Sequence, residues 1–279
     1  MIVAITGATG FLGSRVIAEL VKAGHNPLPL ARNPSPETLN SADAVIHLAG
    51  EPVAQRWTPT AKQRIYTSRV EGTRNLVNAI SKNAHRPEVL VCASAIGIYG
   101  SRGDEILKED SPPGSDFLAR VVVDWEEAAL SVEALGIRVV NLRFGMVLGK
   151  GGALAKMLPP FKLGIGGRLG SGKQWTSWIH IDDAVHLTLF AMRNGQLRRA
   201  INATAPNPVT NGQFTRELAQ VLHRPAIFPV PPFALRLMFG EMADVILAGQ
   251  RVLPAAAQAA GFVFRYADLA PALANLLAQ

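Results

Sequence analysis

The first thirteen residues constrain the fold of this chain more than any other stretch. An apolar run from Ile2 to Ile5 is followed at once by Gly7, Gly10 and Gly13, and a helical pattern begins after them. A strand, a tight turn and a helix N-terminus in this order direct backbone N–H groups towards a pyrophosphate. A glycine triplet alone is a weak sign, so the rest of the chain has to support a nucleotide site.

The composition favours a globular protein with a sizeable core. The 279 residues are 48% hydrophobic and suit one large domain, or a domain with a small appendage. No apolar run approaches the roughly 18 residues of a membrane span. Since the first strand begins at the second residue, we expect no signal peptide, a cytoplasmic location and no membrane partner.

Charge and metal-ligating residues exclude other classes. The net charge is +7, but Lys and Arg are scattered, so we favour the collection of phosphate-bearing small molecules over nucleic-acid binding. The six histidines are dispersed and predict no metal site. The single cysteine, Cys92, lies in an apolar strand and is interpreted as a core residue, with a catalytic role as the alternative.

Alternating strand and helix patterns predict an α/β, Rossmann-like doubly wound parallel sheet with a small, mainly helical C-terminal substrate lobe. We expect an NADP-binding domain over 1–205, to which 150–180 adds part of the substrate lobe, and a C-terminal lobe over 206–279. Pro27 and Pro29 predict a short or irregular second strand, because proline cannot donate to a sheet ladder. Asp182 is predicted as the N-cap of a helix over 184–192.

Arg32 indicates which dinucleotide binds. It follows the second strand, 19 residues after Gly13, where an NAD site usually has a carboxylate for the ribose 2′-hydroxyl. The next carboxylate is Glu37. A guanidinium at this point favours a 2′-phosphate, so we predict NADP(H); the alternative is a solvated surface arginine.

Several further motifs resemble the extended branch of the short-chain dehydrogenases/reductases. They are Gly7-x-x-Gly10-x-x-Gly13, His47-Leu-Ala-Gly50, Val70-x-Gly-Thr73, Ser94 with Tyr99-Gly100, Met157-Leu-Pro-Pro-Phe161, Ser177-Trp-Ile-His-Ile-Asp182 and Gly249-Gln-Arg-Val-Leu-Pro254. Together they cover nearly the whole chain and are similar to an atypical "epimerase family" within that branch. The resemblance implies a bound nicotinamide dinucleotide, usually NADP(H), and leaves the substrate undefined.

The resemblance and the glycine turn together give a set of expected cofactor contacts. We expect the cofactor to be held by Gly7, Thr9, Gly10, Phe11, Leu12, Gly13, Arg32, Leu48, Ala49, Gly50, Arg64, Arg69 and Val147. Arg69 stands where most extended members of the superfamily have Asn, and it could bind a cofactor phosphate or the substrate. Val147 is expected near the nicotinamide.

The chain departs from the resemblance at the catalytic residues. Extended members use a Tyr and a Lys four residues apart on one helix face, so that Lys lowers the phenol pKa. Here the helix beginning at Phe117 has no Tyr, and its only basic residue is Arg120. Ser94, Glu51 and His180 are the candidates for catalysis, each with a structural alternative: a strand-end serine, a solvated carboxylate and a hydrogen-bonded histidine.

Two functions remain open on this reasoning. The first is an NADP(H)-dependent oxidoreductase or epimerase-like enzyme acting on a small polar, for example sugar-nucleotide-like, substrate. The second is a non-catalytic NADP(H)-binding regulator or sensor, for instance in cell division, which the missing Tyr–Lys pair favours. By analogy with the superfamily, a homodimer is also expected.

Overall fold

The computed structural model describes residues 1–278. Its strands are β1 (Ile2–Thr6), β2 (Asn26–Pro29), β3 (Ala44–His47), β4 (Val89–Ala95), β5 (Ile106–Leu107), β6 (Arg138–Phe144), β7 (Met146–Leu148), β8 (Trp175–Thr176), β9 (Trp178–His180), β10 (Arg199–Ala203), β11 (Val209–Thr210) and β12 (Arg251–Val252). Its α-helices are α1 (Gly13–Lys22), α2 (Pro59–Ser81), α3 (Phe117–Leu130), α4 (Gly152–Lys162), α5 (Ile181–Arg193), α6 (Asn211–Leu222), α7 (Pro232–Phe239), α8 (Met242–Leu247), α9 (Ala255–Ala259) and α10 (Leu269–Leu277).

The central sheet has six parallel strands in the order β10-β6-β4-β3-β1-β2. The chain leaves β1 for β2 on one side and returns to β3 on the other, so the winding direction reverses between β1 and β3. In such sheets the crevice outside the carboxyl ends of the strands at this reversal is the usual ligand site. The predicted Rossmann-like doubly wound fold is confirmed.

Side-chain alternation explains why both faces of the sheet are covered. Val3 and Ile5 of β1 belong to the core under α1 and α5, whereas Ala4 belongs to the core under α2 and α3. Successive side chains of a strand point to opposite faces, so an uninterrupted apolar run serves both. Cys92 lies fully buried in the second core, where burial raises the pKa of its thiol.

The proline-containing second strand is short, as predicted. β2 has four residues and lies at the edge of the sheet, pairing with β1. An edge strand tolerates Pro27 and Pro29, because their missing N–H groups can face away from the neighbouring strand.

The predicted start of the helix over 184–192 is wrong. α5 begins at Ile181, and its N-cap is His180, whose Nδ1 accepts a hydrogen bond from the backbone N–H of Asp182. Asp182 therefore lies in the first turn, where its carboxylate interacts favourably with the helix dipole. α3 ends at Leu130 and tightens into a 3-10 turn over 131–135.

The C-terminal helices divide between two cores. α6 and α10 pack against each other and join the main core under the sheet. α7 and α8 instead pack on the loop before α2 and on the start of α3, through Trp57, Phe117, Phe239 and Met242. The domain division at 205/206 stays a prediction. Within residues 1–278, no helix is long and apolar enough to cross a membrane.

The turn between β1 and α1 depends on two close approaches. Gly7 has φ +71°, and a Cβ there would lie 2.8 Å from the backbone nitrogen of Ala49 at the end of β3. A Cβ on Gly13 would lie 2.1 Å from the carbonyl oxygen of Gly7. Only glycine gives both the left-handed conformation and the close contact between helix and strand.

Gly13→Ala should therefore destabilise the protein, because neither contacting backbone can withdraw without moving β1 or α1. We expect a loss of about 2 kcal/mol in the free energy of unfolding, measured by urea denaturation. Gly195→Ala is the matched control, since a Cβ there meets nothing within 4 Å. Equal stability of the two variants would contradict the close approach.

His47 links three elements inside the sheet. Its Nδ1 is 2.5 Å from Thr6 Oγ1 of β1, and its Nε2 is 3.0 Å from Thr73 Oγ1 of α2. The residue is buried, and burial lowers its pKa from 6.5 to about 4. The interpretation of His47 as a hydrogen-bonded core residue is confirmed.

The depressed pKa of His47 makes stability depend on pH. The unfolded state takes up the proton first as pH falls, so the stabilisation present above pH 6.5 declines towards pH 4. This one group should remove about 3 kcal/mol over that interval. Denaturant titrations at several pH values should show a shallower decline in His47→Gln than in the wild type; parallel declines would contradict a neutral, buried His47.

Candidate functional site

The glycine turn opens towards the crevice at the carboxyl ends of β1 and β3. Thr9, Gly10 and Phe11 are exposed there. Within residues 1–278, the N–H groups of Phe11, Leu12 and Gly13 donate no hydrogen bond. Free N–H groups at the start of α1 form an anion site of the kind that holds a pyrophosphate.

A second glycine stretch covers one side of this turn. The ring of Phe11 packs against Gly149, Gly151 and Gly152, and a Cβ on Gly149 would lie 2.6 Å from the ring. Phe11 thus has a packing partner as well as an exposed edge. Val147 lies just before this stretch, half-buried on β7 and paired with Ile179 of β9.

A polar cavity of about 300 Å³ lies beside the end of β2. Its lining combines residues that follow β2 and β3 with one face of α2: Arg32, Asn33, Glu51, Gln63, Arg64, Thr67, Ser68, Glu71, Gly72 and Asn75. We call it the arginine pocket. The sequence predicted Arg32 and Arg64 as binding residues, and both line it.

Six polar residues of the pocket were not among the predicted site residues: Asn33, Gln63, Thr67, Ser68, Glu71 and Asn75. Asn33 directly follows Arg32, and its Oδ1 accepts a hydrogen bond of 3.4 Å from Asn75 Nδ2. Ser68 and Asn75 lie four and eleven residues after Arg64, a spacing that brings all three to one helix face. That periodicity was the available signal.

Glu51 lies in the arginine pocket, with its side chain 24% exposed. Its Oε1 is 3.2 Å from Gln55 Nε2 and 3.3 Å from Arg64 Nε. The hydrogen bond from Gln55, helped by the charges of Arg64 and Arg32, lowers the pKa of the Glu51 carboxyl. This environment favours the ionised form of Glu51, which accepts a proton; the catalytic role of Glu51 stays a prediction.

Arg69 supports the pocket wall and is not among its lining residues. Its Nη1 donates to the carbonyl oxygens of Glu51 (2.9 Å) and Ile65 (3.3 Å), and its guanidinium lies 5.2 Å from the Trp125 ring centroid. Burial lowers its pKa to about 10. Because a Cβ on Gly50 would meet the guanidinium at 3.4 Å, Arg69 fixes the path of the chain after β3.

Ser94, one of the three candidates for catalysis, has its hydroxyl in an internal hydrogen bond. Ser94 is buried, and its Oγ donates to Glu126 Oε1 at 2.5 Å. Glu126 also forms a buried ion pair with Arg143 (2.8 Å), which in turn donates to the hydroxyl of Tyr99. The serine therefore belongs to a buried polar network behind the strand end.

The structure corrects the expectation that His180 faces the cleft. The side chain is 1% exposed, and its ring stacks on Tyr266 with centroids 3.8 Å apart. Burial lowers its pKa, and its Nδ1 caps α5. His180 thus joins a C-terminal segment to the helix that follows β9.

The start of α3 has neither the Tyr nor the Lys of the usual catalytic pair, and its residues make other contacts. Phe117 packs edge-on against Trp57 at 5.3 Å, and Arg120 donates to the carbonyl of Ser115. Asp116 is the exposed N-cap: its Oδ1 accepts from Ala119 N at 2.8 Å. The sequence analysis did not assign Asp116 a role, although it stands four residues before Arg120.

This part of α3 lies against the carboxyl end of β4. The chain after β4 forms a 3-10 turn over 96–99, and Gly114 N donates to Ile98 O at 2.7 Å. A Cβ on Gly100 would lie 3.3 Å from Asp116 Oδ2. The exposed carboxylate is thus held beside Gly100, in the loop that follows β4.

Two family profiles match this chain. Residues 3–203 match the NAD dependent epimerase/dehydratase family, and residues 230–276 match a domain of unknown function, DUF1731. The epimerase family protein YfhF of Bacillus subtilis is 41% identical over 299 residues, spanning 100% of this chain and 99% of the relative. The chloroplastic SDR39U1 homolog of Arabidopsis thaliana is 41% identical over 302 residues, spanning 99% and 87%.

Solved structures agree with these matches. Human epimerase family protein SDR39U1 (isoform 2), whose structure holds NADPH, superposes with a TM-score of 0.91 at 33% identity over 99% of both chains. UDP-glucuronic acid 4-epimerase of Bacillus cereus superposes at 0.80 with 16% identity over 98% and 96%, which speaks for the fold alone. The sequence matches, the sheet order and the glycine turn lead to one conclusion: this chain belongs to the NAD-dependent epimerase/dehydratase family.

Proposed function

We propose that this chain binds NADP(H) and acts as an oxidoreductase of the epimerase/reductase type on a small polar substrate. The observation that carries the proposal is the arginine pocket, in which Arg32 and Arg64 line one cavity with residues that follow β2 and β3. Arginine matches a phosphate geometrically through its fork of donors. The NADPH in the human relative, at 33% identity over 99% of both chains, supports the same cofactor.

In this proposal the protein's residues divide the cofactor between two sites. The free N–H groups of Phe11, Leu12 and Gly13 bind the pyrophosphate, and the arginine pocket binds the 2′-phosphate. Leu48, Ala49 and Gly50 contact the part of the cofactor between these two sites. Val147 lies towards the nicotinamide. The bound cofactor supplies hydride chemistry.

Asp116 is the residue proposed to exchange the substrate proton. Its carboxylate is exposed beside Gly100, in the loop that follows β4. As a carboxylate it accepts the hydroxyl proton when a substrate alcohol is oxidised, and its protonated form returns the proton on reduction. Asp116 and Arg120 stand four residues apart, the spacing of the usual Tyr and Lys.

The second candidate is a cofactor-binding regulator without turnover. It is favoured by the burial of Ser94 and His180, which leaves these two candidate catalytic side chains in structural contacts. The two candidates share NADP(H) binding and differ in whether the bound cofactor is oxidised.

Arg32→Ala tests the cofactor assignment. Loss of a charge-assisted contact to the 2′-phosphate should weaken NADPH binding about tenfold or more and leave NADH binding unchanged. Isothermal titration calorimetry with both cofactors measures the two dissociation constants. Arg193→Ala removes the same charge from a cavity at the amino ends of the strands and should change neither; equal wild-type affinities for NADPH and NADH would refute the assignment.

Asp116→Asn tests the chemistry. Asparagine still caps α3, so the melting temperature should stay the same, while the loss of the proton acceptor should slow oxidation of NADPH by a panel of aldehydes and ketones about 100-fold. NADPH absorbance at 340 nm follows the rate. Oxidation at an unchanged rate would remove Asp116 from the mechanism, and no oxidation by any compound would leave the regulator as the function.

A further inference from the structure

One segment joins the arginine pocket to the C-terminal helices. Residues 51–58 connect the turn after β3 with the start of α2 and are called here the connecting segment. Glu51, at its first position, lines the arginine pocket. Arg56 and Trp57, near its end, contact α7, which is 180 residues further along the chain.

At the pocket end, two hydrogen bonds hold the main chain of Glu51, and its carboxylate contacts the guanidinium of Arg64. Its N–H donates to Ser68 Oγ (2.9 Å), and its carbonyl accepts from Arg69 (2.9 Å). Its carboxylate contacts Arg64 Nε and Gln55 Nε2. Gln55 also donates to the carbonyl of Pro52, so the carboxylate takes part in folding the connecting segment onto itself.

The charges of the pocket make Glu51 the competitor of a phosphate. Arg32 and Arg64 are its cations, and Glu51 and Glu71 are its carboxylates. Glu71 is held by Arg74 at 2.7 Å, whereas Glu51 lies on Arg64 itself. Arg64 contacts Glu51 through Nε (3.3 Å) and donates to Gln55 Oε1 through Nη2 (3.1 Å). Because like charges repel, a phosphate that binds Arg64 competes with the Glu51 carboxylate.

At the other end, the connecting segment is bound to the C-terminal helices. Arg56 Nη1 donates to the carbonyl of Leu237 (2.6 Å), and Trp57 N donates to the carbonyl of Phe239 (3.3 Å). The Trp57 ring packs in one apolar cluster with Met242 of α8. A displacement of the segment therefore changes contacts that hold α7 and α8.

We propose that Glu51 occupies the arginine pocket as an internal substitute for phosphate, that the 2′-phosphate of NADP(H) replaces it on Arg64, and that its release loosens the connecting segment from α7 and α8. Glu51 is then the residue that sets the affinity for the phosphorylated cofactor. It also gives the C-terminal helices a response to NADP(H) that NAD(H) does not produce. The inference rests on the proposed binding of the 2′-phosphate in this pocket.

Affinity measurements test the first step. Glu51→Gln keeps the size and the hydrogen-bonding ability of the side chain and removes its charge, so NADPH should bind about fivefold more tightly, the ratio expected for loss of a half-exposed ion pair, with NADH unchanged. Glu71→Gln, in the same pocket but paired with Arg74, is the matched control and should change NADPH binding less. Glu51→Asp, which shortens the carboxylate, should lie between wild type and Glu51→Gln.

The outcomes separate this inference from the proposed function. If the wild type prefers NADPH but Glu51→Gln binds it equally or more weakly, the competition is refuted and the pocket stands. If the wild type shows no preference for NADPH, the assignment of the pocket itself fails.

Amide hydrogen exchange tests the second step. NADPH should speed exchange in peptides covering 232–247 of the wild type, and NADH should not. Glu51→Gln should show the faster exchange without any cofactor and little further change with NADPH. Identical exchange of these peptides with NADPH and NADH in the wild type would overturn the proposed link to α7 and α8.

Discussion

The close approach of the β1–α1 turn to the end of β3 is the constraint on which the rest of the structure depends. Gly7 lies against the main chain at Ala49, and Gly13 brings α1 against the carbonyl of Gly7. These contacts fix the strand reversal between β1 and β3, and with it the crevice of the sheet. They also leave the first N–H groups of α1 free towards that crevice.

The residues proposed for cofactor binding and the residue proposed for proton transfer come from different elements around this crevice. The arginine pocket is built from the ends of β2 and β3 and one face of α2. The carboxylate of Asp116 comes from the start of α3, next to the turn that follows β4. The connecting segment over 51–58 touches both the pocket and the C-terminal helices. Cofactor binding therefore has a physical route to the part of the chain that matches the domain of unknown function.

The sequence predicted those features that depend on local patterns. Alternating apolar runs predicted the parallel sheet, and Arg32 after β2 predicted one wall of the pocket. The contacts of Ser94 and His180 could not be predicted from their motifs, because they depend on distant partners: Glu126 on α3 accepts from Ser94, and Tyr266 near the C-terminus stacks on His180. The motifs around Ser94 and His180 do not indicate which distant residue each side chain contacts.

The contact of Glu51 also depends on a residue outside its own motif. A carboxylate in a loop near the predicted cofactor was a candidate for catalysis, but its side chain contacts Arg64, thirteen residues later on a helix. The periodicity of α2 contained this information, since Arg64, Ser68 and Asn75 share one face. Reading that face together with the residue after β2 would have defined the pocket.

Binding of adenosine 2′,5′-bisphosphate tests the central claim most directly, since this fragment carries the 2′-phosphate without the nicotinamide. Calorimetry should compare it with adenosine 5′-monophosphate, which differs from it only by lacking the 2′-phosphate. The arginine pocket predicts tighter binding of the 2′,5′-bisphosphate, with competition against NADPH. Equal affinities, or a preference for the 5′-monophosphate, would contradict the account.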